Sequence, residues 1–148
     1  MSKVSSLARA SAPPAAITAG TPSARYAAQR RDAVLRCVAA AFGLSMRAIT
    51  TARRAQARAV FARQVGMYLL HVVFSLNPQL IGGLFGKDRS TVAHACQRVE
   101  DRRDDAAFDA FLHDLELAVS ALDSAMQMRT KQELFGADSS LGAGGTQC

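Results

Sequence analysis

The sequence lacks the cysteine pattern of a protein held by disulfides or by zinc. Its three cysteines, Cys37, Cys96 and Cys148, are odd in number and far apart, so they offer neither a disulfide framework nor paired metal ligands. The three histidines form no cluster either. His94 and Cys96 diverge by about 200° around a helix and cannot act together as base and nucleophile. We expect no metal or other cofactor, and we expect Cys96 to be a small core residue.

No hydrophobic run is long enough to cross a membrane. The longest, from Val65 to Leu76, is interrupted by His71 and falls short of the roughly 18 to 20 apolar residues of a spanning helix. Residues 1–24 are rich in Ala, Ser, Pro and Thr and have no apolar stretch of signal-peptide length, although their lack of acids is also typical of transit peptides. These absences predict a soluble, cytoplasmic protein with no membrane partner.

Acidic residues are nearly missing from the first two thirds of the chain. Residues 1–99 hold 14 Lys or Arg and two acids, which gives a net charge of +12. Residues 100–148 hold four Lys or Arg and ten acids, which gives a net charge of −6. Between Thr51 and Arg63 four arginines occur without an acid, a density typical of phosphate contacts or of an arm in a DNA minor groove. A solvated loop without a partner would have the same composition. The four are Arg53, Arg54, Arg58 and Arg63.

No segment alternates with the period of a β-strand, whereas the helical period dominates, so we predict an all-α fold. The 148 residues suit one domain of roughly 100 residues with flexible ends. We predict a helix over 31–42 ended by Gly43, a short helix capped by Ser45 through Ile49, a central scaffold helix from about Arg58, a helix over 78–85 begun by Asn77, and an amphipathic helix over 108–126.

The last predicted helix has an apolar stripe for which two interpretations stay open. In one, the stripe completes the hydrophobic core. In the other it binds a partner, and the protein is an adaptor or a dimerising transcription regulator; the oligomeric state is open for the same reason. The stripe consists of Phe108, Phe111, Leu112, Leu115, Val119, Leu122 and Met126. The apolar face of the scaffold helix is predicted to consist of Phe61, Val65, Tyr68, Leu69, Val72 and Leu76.

The stretch from Gly86 to Glu100 combines a glycine turn with a helix that has two chemically different faces. Asp88 is a favourable N-cap, so the helix should begin at Arg89. In a helix-turn-helix, hydroxyl, imidazole and guanidinium groups at the start of the second helix contact base edges in the major groove. At about 100° per residue, the apolar face is Val92, Ala95, Cys96 and Val99, and the polar face is Ser90, Thr91, His94, Gln97 and Arg98.

These residues resemble the C-terminal DNA-binding domain of the bacterial replication initiator DnaA. The resemblance runs from about Arg31 to Leu122. It rests on the motif between Gly86 and Cys96, which consists of a glycine turn, a basic residue, Asp, a polar triplet and Val-x-His-Ala-Cys. It implies a helix-turn-helix fold with a Trp-repressor-like core and an additional C-terminal helix. It also implies sequence-specific binding to double-stranded DNA, association with the nucleoid, and a role in replication initiation or transcription.

The resemblance and the chemistry of the residues together predict two groups of DNA-contacting residues. Arg63 and Gln64 resemble the Arg-Gln that precedes the family's long helix, and they would contact phosphates at its start. The loop arginines would enter the minor groove, and the resemblance leaves open which of them does so. Arg89 stands where the family usually has histidine, and arginine favours guanine, so the preferred DNA sequence is expected to differ. The base-contacting group is Asp88, Arg89, Ser90, Thr91 and His94, and the backbone or minor-groove group is Arg53, Arg54, Arg58, Arg63, Gln64, Lys87 and Arg98.

The sequence also lacks a P-loop. The nearest string, Gly83 to Asp88, has neither the first glycine at the required distance nor a Ser or Thr after the lysine, so we expect no nucleotide binding. No carboxylate cluster or metal set accompanies the basic residues, and we therefore expect no enzyme activity. The expected organisation is a disordered segment over 1–28, a stand-alone DNA-binding domain over 29–130 and a flexible tail over 131–148.

Overall fold

The computed structural model describes residues 22–51, 53 and 56–139, and these residues form six α-helices without a strand. The predicted all-α class is therefore confirmed. No helix in the described part of the chain is both long and apolar enough to cross a membrane. The helices are α1 Pro22–Phe42, α2 Met46–Thr50, α3 Ala57–Val72, α4 Pro78–Phe85, α5 Arg89–Arg102 and α6 Ala106–Ser139.

Helix α3 is the centre of the core, as predicted for the scaffold helix. Residues 65–70 are all buried, so this helix is covered on every side for more than a turn, with α1 and α5 packed against it. Val72, which was predicted to face the core, is 45% exposed because α3 ends there and its last turn leaves the packed region. The core is lined by Val34, Leu35, Val38, Ile49, Val65, Leu69, Leu70, Ile81, Val92, Val99, Leu112 and Val119.

Local signals set the ends of the short helices where the sequence predicts them. Gly43 ends α1 with φ 66°, in the left-handed region that favours glycine. Ser45 begins α2 by accepting a hydrogen bond from the amide of Ala48 at 3.1 Å. Asn77 begins α4 in the same way, accepting from the amide of Leu80 at 2.8 Å, ahead of a proline at the first helical position.

Two helices extend beyond the predicted domain limits of 29–130. Helix α1 begins at Pro22, so the last seven residues of the segment expected to be disordered are helical. Helix α6 continues to Ser139, so the first nine residues of the expected tail are helical too. The rest of both segments, 1–21 and 140–148, lies outside the described residues.

Contacts that are distant in sequence explain the longer α1. Arg30 is only 3% exposed, and its Nε lies 2.7 Å from Oδ1 of Asp123 on α6. Its guanidinium also lies 4.1 Å from the ring centroid of Tyr26, one turn earlier in α1. A buried ion pair between residues so far apart leaves no local signal in the sequence, so the prediction placed the start of α1 too late.

The apolar stripe of α6 completes the core. Two of its phenylalanines pack with Phe42 of α1 and Phe61 of α3 in a cluster whose paired ring centroids are 5.5 to 6.2 Å apart. The interpretation of this stripe as a partner-binding surface is therefore wrong, because its central side chains are already covered. Leu112, Leu115 and Val119 are buried, and Phe108, Phe111, Leu122 and Met126 are half-buried.

Arg103 holds the connection between α5 and α6. Its Nε donates to Oδ1 of Asp109 at 2.6 Å, and its Nη1 donates to the hydroxyl of Tyr68 at 2.7 Å and to Oε1 of Glu116 at 3.1 Å. The hydrogen bond to Asp109, followed by that to Tyr68, raises the pKa of Arg103 above its ordinary value. One guanidinium thereby ties the end of α5 to α3 and α6.

Candidate nucleic-acid interface

The turn between α4 and α5 depends on two glycines. Gly86 has φ 63° and ψ 37°, the left-handed conformation that ends α4. The amide of Lys87 donates to the carbonyl of Gly82 at 2.8 Å and folds the chain back over α4. A Cβ at Gly82 would lie 2.4 Å from the carbonyl oxygen of Lys87, so the close approach of the turn requires glycine there.

Asp88 caps α5 as predicted. One carboxylate oxygen, Oδ1, accepts from the amide of Thr91 at 2.7 Å and from the hydroxyl of Ser90 at 2.8 Å. The hydrogen bond from the amide of Thr91, followed by that from the Ser90 hydroxyl, lowers the pKa of the Asp88 carboxyl. Asp88 therefore orients the first turn of α5 and the hydroxyl beside it.

Helix α5 has the two faces that the sequence predicts. Val92, Ala95 and Val99 are at most 1% exposed and pack against the core. The cap Asp88, Arg89 and the side chains of the predicted polar face are all exposed, so the start of α5 presents a guanidinium, two hydroxyls and an imidazole to solvent. These exposed residues are Asp88, Arg89, Ser90, Thr91, His94, Gln97 and Arg98.

Cys96 lies at the border of the two faces and packs half-buried against the core, in agreement with the prediction of a core residue. Burial, with the negative charge of Glu100 as a smaller cause, raises the pKa of its thiol, so the reactive thiolate is disfavoured. In the described part of the chain no three His, Cys, Asp or Glu side chains are grouped to hold a metal ion.

The basic loop between α2 and α3 forms an open cleft beside the end of α2. Arg53 is exposed and lines this cleft of about 480 Å³ together with Arg47, Thr51 and Gln56. Sequence reasoning missed Arg47, although a basic residue one turn before an arginine-rich loop is a usable signal. Arg54, predicted as a backbone or minor-groove contact, lies outside the described residues.

Two of the predicted phosphate-contacting arginines bind other parts of the protein. Arg58 is in the first turn of α3, not in the loop, and its Nη2 donates to the carbonyl of Phe42 at the end of α1 at 2.6 Å. Arg63 is half-buried, and its Nε donates to the carbonyl of Ile49 in α2 at 3.0 Å. Burial lowers the pKa of Arg63. Both arginines hold α3 against the preceding helices, and their phosphate contacts stay predictions.

Gln64 also turns toward the protein. It is half-buried, and its Oε1 is shielded from solvent without a hydrogen-bond donor among the described residues. A phosphate contact by Gln64 would have to use its amide nitrogen, because phosphate oxygens only accept hydrogen bonds. Its predicted role stays untested.

The structure brings the loop and the turn to one side of the molecule. The ends of α2 and α4 line a common cleft of about 290 Å³. The loop with Arg53 follows α2 and the turn with Lys87 follows α4, so both segments begin beside this cleft. Arg31 spans the same place, since its Nη1 donates to the carbonyl of Leu84 at 3.0 Å. The exposed Lys87, Arg89 and Arg53 outnumber the exposed acids Asp32 and Asp88 at this place, so the net charge of this side is positive.

Residues 31–99, which contain this turn and the two-faced helix, match the family of bacterial DnaA protein helix-turn-helix domains. Because of this match we call residues 31–99 the DnaA-type domain. The chain is 35% identical over 79 residues to the chromosomal replication initiator protein DnaA of a Picosynechococcus species, which is 53% of this chain and 17% of that protein. It is 34% identical over 71 residues to the chromosomal replication initiator proteins DnaA 2 of Chlamydia trachomatis and Chlamydia muridarum. Each of these matches covers 48% of this chain and 15% of the relative.

The DnaA-type domain covers the whole candidate interface, together with residues 31–42 of α1 and the core helix α3. It includes α2, α3, α4 and nearly all of α5, with both of the basic segments described above. The first nine residues of α1 and all of α6 lie outside the matched range. The chain spans less than a fifth of the length of these relatives, so their whole activity does not follow from the match.

Proposed function

We propose that the chain binds double-stranded DNA in a sequence-dependent manner through the exposed face of α5. The observation that carries this proposal is a capped, two-faced second helix on a glycine turn within a DnaA-type helix-turn-helix domain. In a helix-turn-helix the second helix lies in the major groove, with its N-terminal residues at the base edges. The exposed start of α5 carries side chains suited to that position.

The proposed base contacts come from Arg89, Ser90, Thr91 and His94. The guanidinium of Arg89 suits the two acceptors of guanine, and the hydroxyls and the imidazole suit either donors or acceptors. Asp88 accepts from the Ser90 hydroxyl and thereby orients it. We therefore propose that Asp88 acts partly by positioning its neighbours and partly through its second, exposed oxygen.

The proposed phosphate contacts come from the basic residues on both sides of the interface. Lys87 lies in the turn, Arg98 further along α5, and Arg53 and Arg47 at the loop cleft, all of them exposed. Contacts to phosphates fix the register of the protein on the duplex, whereas base contacts choose the sequence. Arg47 joins this group because the structure places it beside Arg53.

Selection of bound sequences from a random duplex pool tests the proposal directly. We expect one enriched motif that contains a guanine matched to Arg89. Binding of the selected duplex and of a scrambled duplex to the full chain, measured by fluorescence anisotropy, then gives the specificity ratio. A pool that stays random after repeated rounds would contradict sequence-dependent binding.

Arg89→Ala and His94→Ala should each lower the discrimination between the two duplexes by about 1 to 3 kcal/mol. Both side chains are exposed, so the fold should be retained and the thermal midpoint unchanged. The matched control is Arg36→Ala, which removes the same charge from the α1 surface facing α6. If the control changes discrimination as much as the two variants do, the assignment of base contacts to α5 is wrong.

We further propose that this binding controls replication initiation or transcription, in association with the nucleoid, without a nucleotide or cofactor. The relatives are named as replication initiators, and a protein that shares their DNA-contacting domain could occupy the same sites. A selected motif equal to the one bound by DnaA of the same cell would support replication control, and an unrelated palindrome would support a dimeric transcription regulator. A labelled duplex incubated with the protein and a divalent metal should stay intact.

A further inference from the structure

Helix α6 carries most of the large apolar side chains that the described residues expose. Six such side chains are more than a third exposed, and four of them are on α6: Leu117 at 58%, Met128 and Leu134 at 70%, and Phe135 at 73%. The core-facing stripe of α6 lies elsewhere on the helix. An apolar surface concentrated on one helix is typical of an interface with a partner.

Three of these four side chains share one line along α6. At 100° per residue, Leu117, Met128 and Phe135 fall within about 20° of each other, on the side opposite the buried Leu115 and Val119. Leu134 lies about 100° away from this line. Positions alternately three and four residues apart continue the line, which is the spacing of the contact positions in a coiled coil. These exposed positions, here called the outer seam, are Ala110, Asp114, Leu117, Ala121, Ser124, Met128, Lys131 and Phe135.

We propose that the outer seam pairs with the outer seam of a second copy of this chain, with the two α6 helices antiparallel. The charges of the seam determine the direction. Asp114 lies near its start and Lys131 near its end, and both are exposed. A parallel pair would place each charge beside its own copy, whereas an antiparallel pair places Asp114 beside the Lys131 of the other copy.

The sizes of the side chains fit the same register. With a two-fold axis between Leu122 and Asp123, Leu117 meets Met128, and the small Ala121 meets Ser124. Phe135, the largest side chain of the seam, then meets Ala110, the smallest near its start. Phe135 thus lies opposite a small residue at each end, Leu117 and Met128 form the apolar layers, and the small Ala121 and Ser124 meet at the centre. The paired stretch covers about 37 Å of helix at 1.5 Å per residue.

The outer seam and the candidate DNA interface share no residue, since the seam lies on α6 and the interface on α5, its preceding turn and the α2–α3 loop. Self-association and DNA binding are therefore separable by substitution. A dimer of this kind would carry two DnaA-type domains.

Sedimentation velocity of the full chain over a wide concentration range tests the pairing. We expect the mass to rise from one copy to two with concentration. Leu117→Lys or Phe135→Lys should raise the dissociation constant of the dimer by about tenfold or more, since each introduces a charge into an apolar layer. Leu134→Lys is the matched control, because Leu134 is as exposed as Phe135 but lies off the seam, and it should leave dimerisation unchanged.

Charge reversal tests the antiparallel register. Asp114→Lys and Lys131→Asp should each weaken the dimer, and the double variant should restore it, since the pair is then present with reversed signs. Circular dichroism confirms that each variant is folded. The proposal is overturned if the chain does not self-associate at any concentration. Binding of a different protein to the outer seam, without pairing of two copies, also overturns it. So does a dimer that tolerates Leu117→Lys, or a double variant that is no tighter than the single ones.

Discussion

Gly82 and Gly83 are adjacent in α4, yet only Gly83 has space for a side chain. A Cβ at Gly82 would lie 2.4 Å from the carbonyl oxygen of Lys87 and 3.3 Å from the carbonyl group of Asp88, whereas a Cβ at Gly83 meets nothing within 4 Å. The obstacle at Gly82 is backbone. It cannot move without disturbing the hydrogen bond from the Lys87 amide to the Gly82 carbonyl.

Gly82→Ala should therefore lower the free energy of unfolding by about 1 to 3 kcal/mol through forced displacement of the turn. Gly83→Ala should raise it by up to about 1 kcal/mol, because alanine favours the helix and the space is open. Urea denaturation followed by circular dichroism measures both. Equal effects of the two substitutions would show that the turn does not pack as closely on α4 as described.

At the same scale, the cap at Asp88 makes the stability of α5 depend on pH. Its hydrogen bonds lower the pKa of the carboxyl in the folded state below the ordinary value of 3.8. The carboxylate therefore contributes stability above that ordinary value, and the contribution is lost as the pH falls through the lower, folded-state pKa.

Asp88→Asn keeps a capping acceptor but removes the charge, so the wild type should be more stable than this variant at neutral pH, and the difference should vanish in acid. Asp88→Ala, which removes the acceptor as well, should be less stable than Asp88→Asn at every pH. Thermal unfolding of the three proteins across the acid range measures these differences. A difference between wild type and Asp88→Asn that does not depend on pH would contradict the cap as described.

At the scale of the elements, α5 and α6 are held together through Arg103 and the buried Tyr68. Tyr68→Phe removes one acceptor of Arg103 and leaves the packing of the ring, so the free energy of unfolding should fall by about 0.5 to 1.5 kcal/mol. Tyr26→Phe is the matched control, because phenylalanine keeps the ring contact with Arg30. An equal loss in the control would indicate a general effect of the hydroxyl deletion on the unfolded chain.

At the scale of the whole molecule, charge is divided between the DnaA-type domain and α6. Of the 18 basic residues 14 lie upstream of Glu100, whereas 10 of the 12 acids lie in residues 100–148. With about five phosphate contacts, from the four residues proposed above and the predicted contact Arg54, the logarithm of the DNA affinity should fall with the logarithm of the salt concentration at a slope of about −4 to −5.

Arg53→Ala should make that slope shallower by about 1, since it removes one phosphate contact. Arg36→Ala should leave it unchanged, because Arg36 lies on the α1 surface that faces α6. Anisotropy titrations at several salt concentrations give both slopes. A slope near zero for the wild type would contradict binding through phosphates.

The sequence alone predicted the features that neighbouring residues determine. The caps at Ser45, Asn77 and Asp88 and the left-handed turn at Gly86 involve atoms no more than about four residues apart, so their signals are continuous in the chain. The two faces of α5 follow from the helical period in the same way. Motif and capping together located the candidate interface.

Only the tertiary structure decided which of the remaining residues bind other parts of the protein and where the long helices begin and end. Arg58 and Arg63 are both predicted from the sequence to contact DNA, yet they donate hydrogen bonds to carbonyls of α1 and α2. Arg30, in the part of α1 that the prediction left out, forms an ion pair with Asp123 of α6. Whether the apolar stripe of α6 meets the core or a partner stayed open in the sequence for the same reason. These contacts join residues that are far apart along the chain, so their energies exist only once the helices have packed.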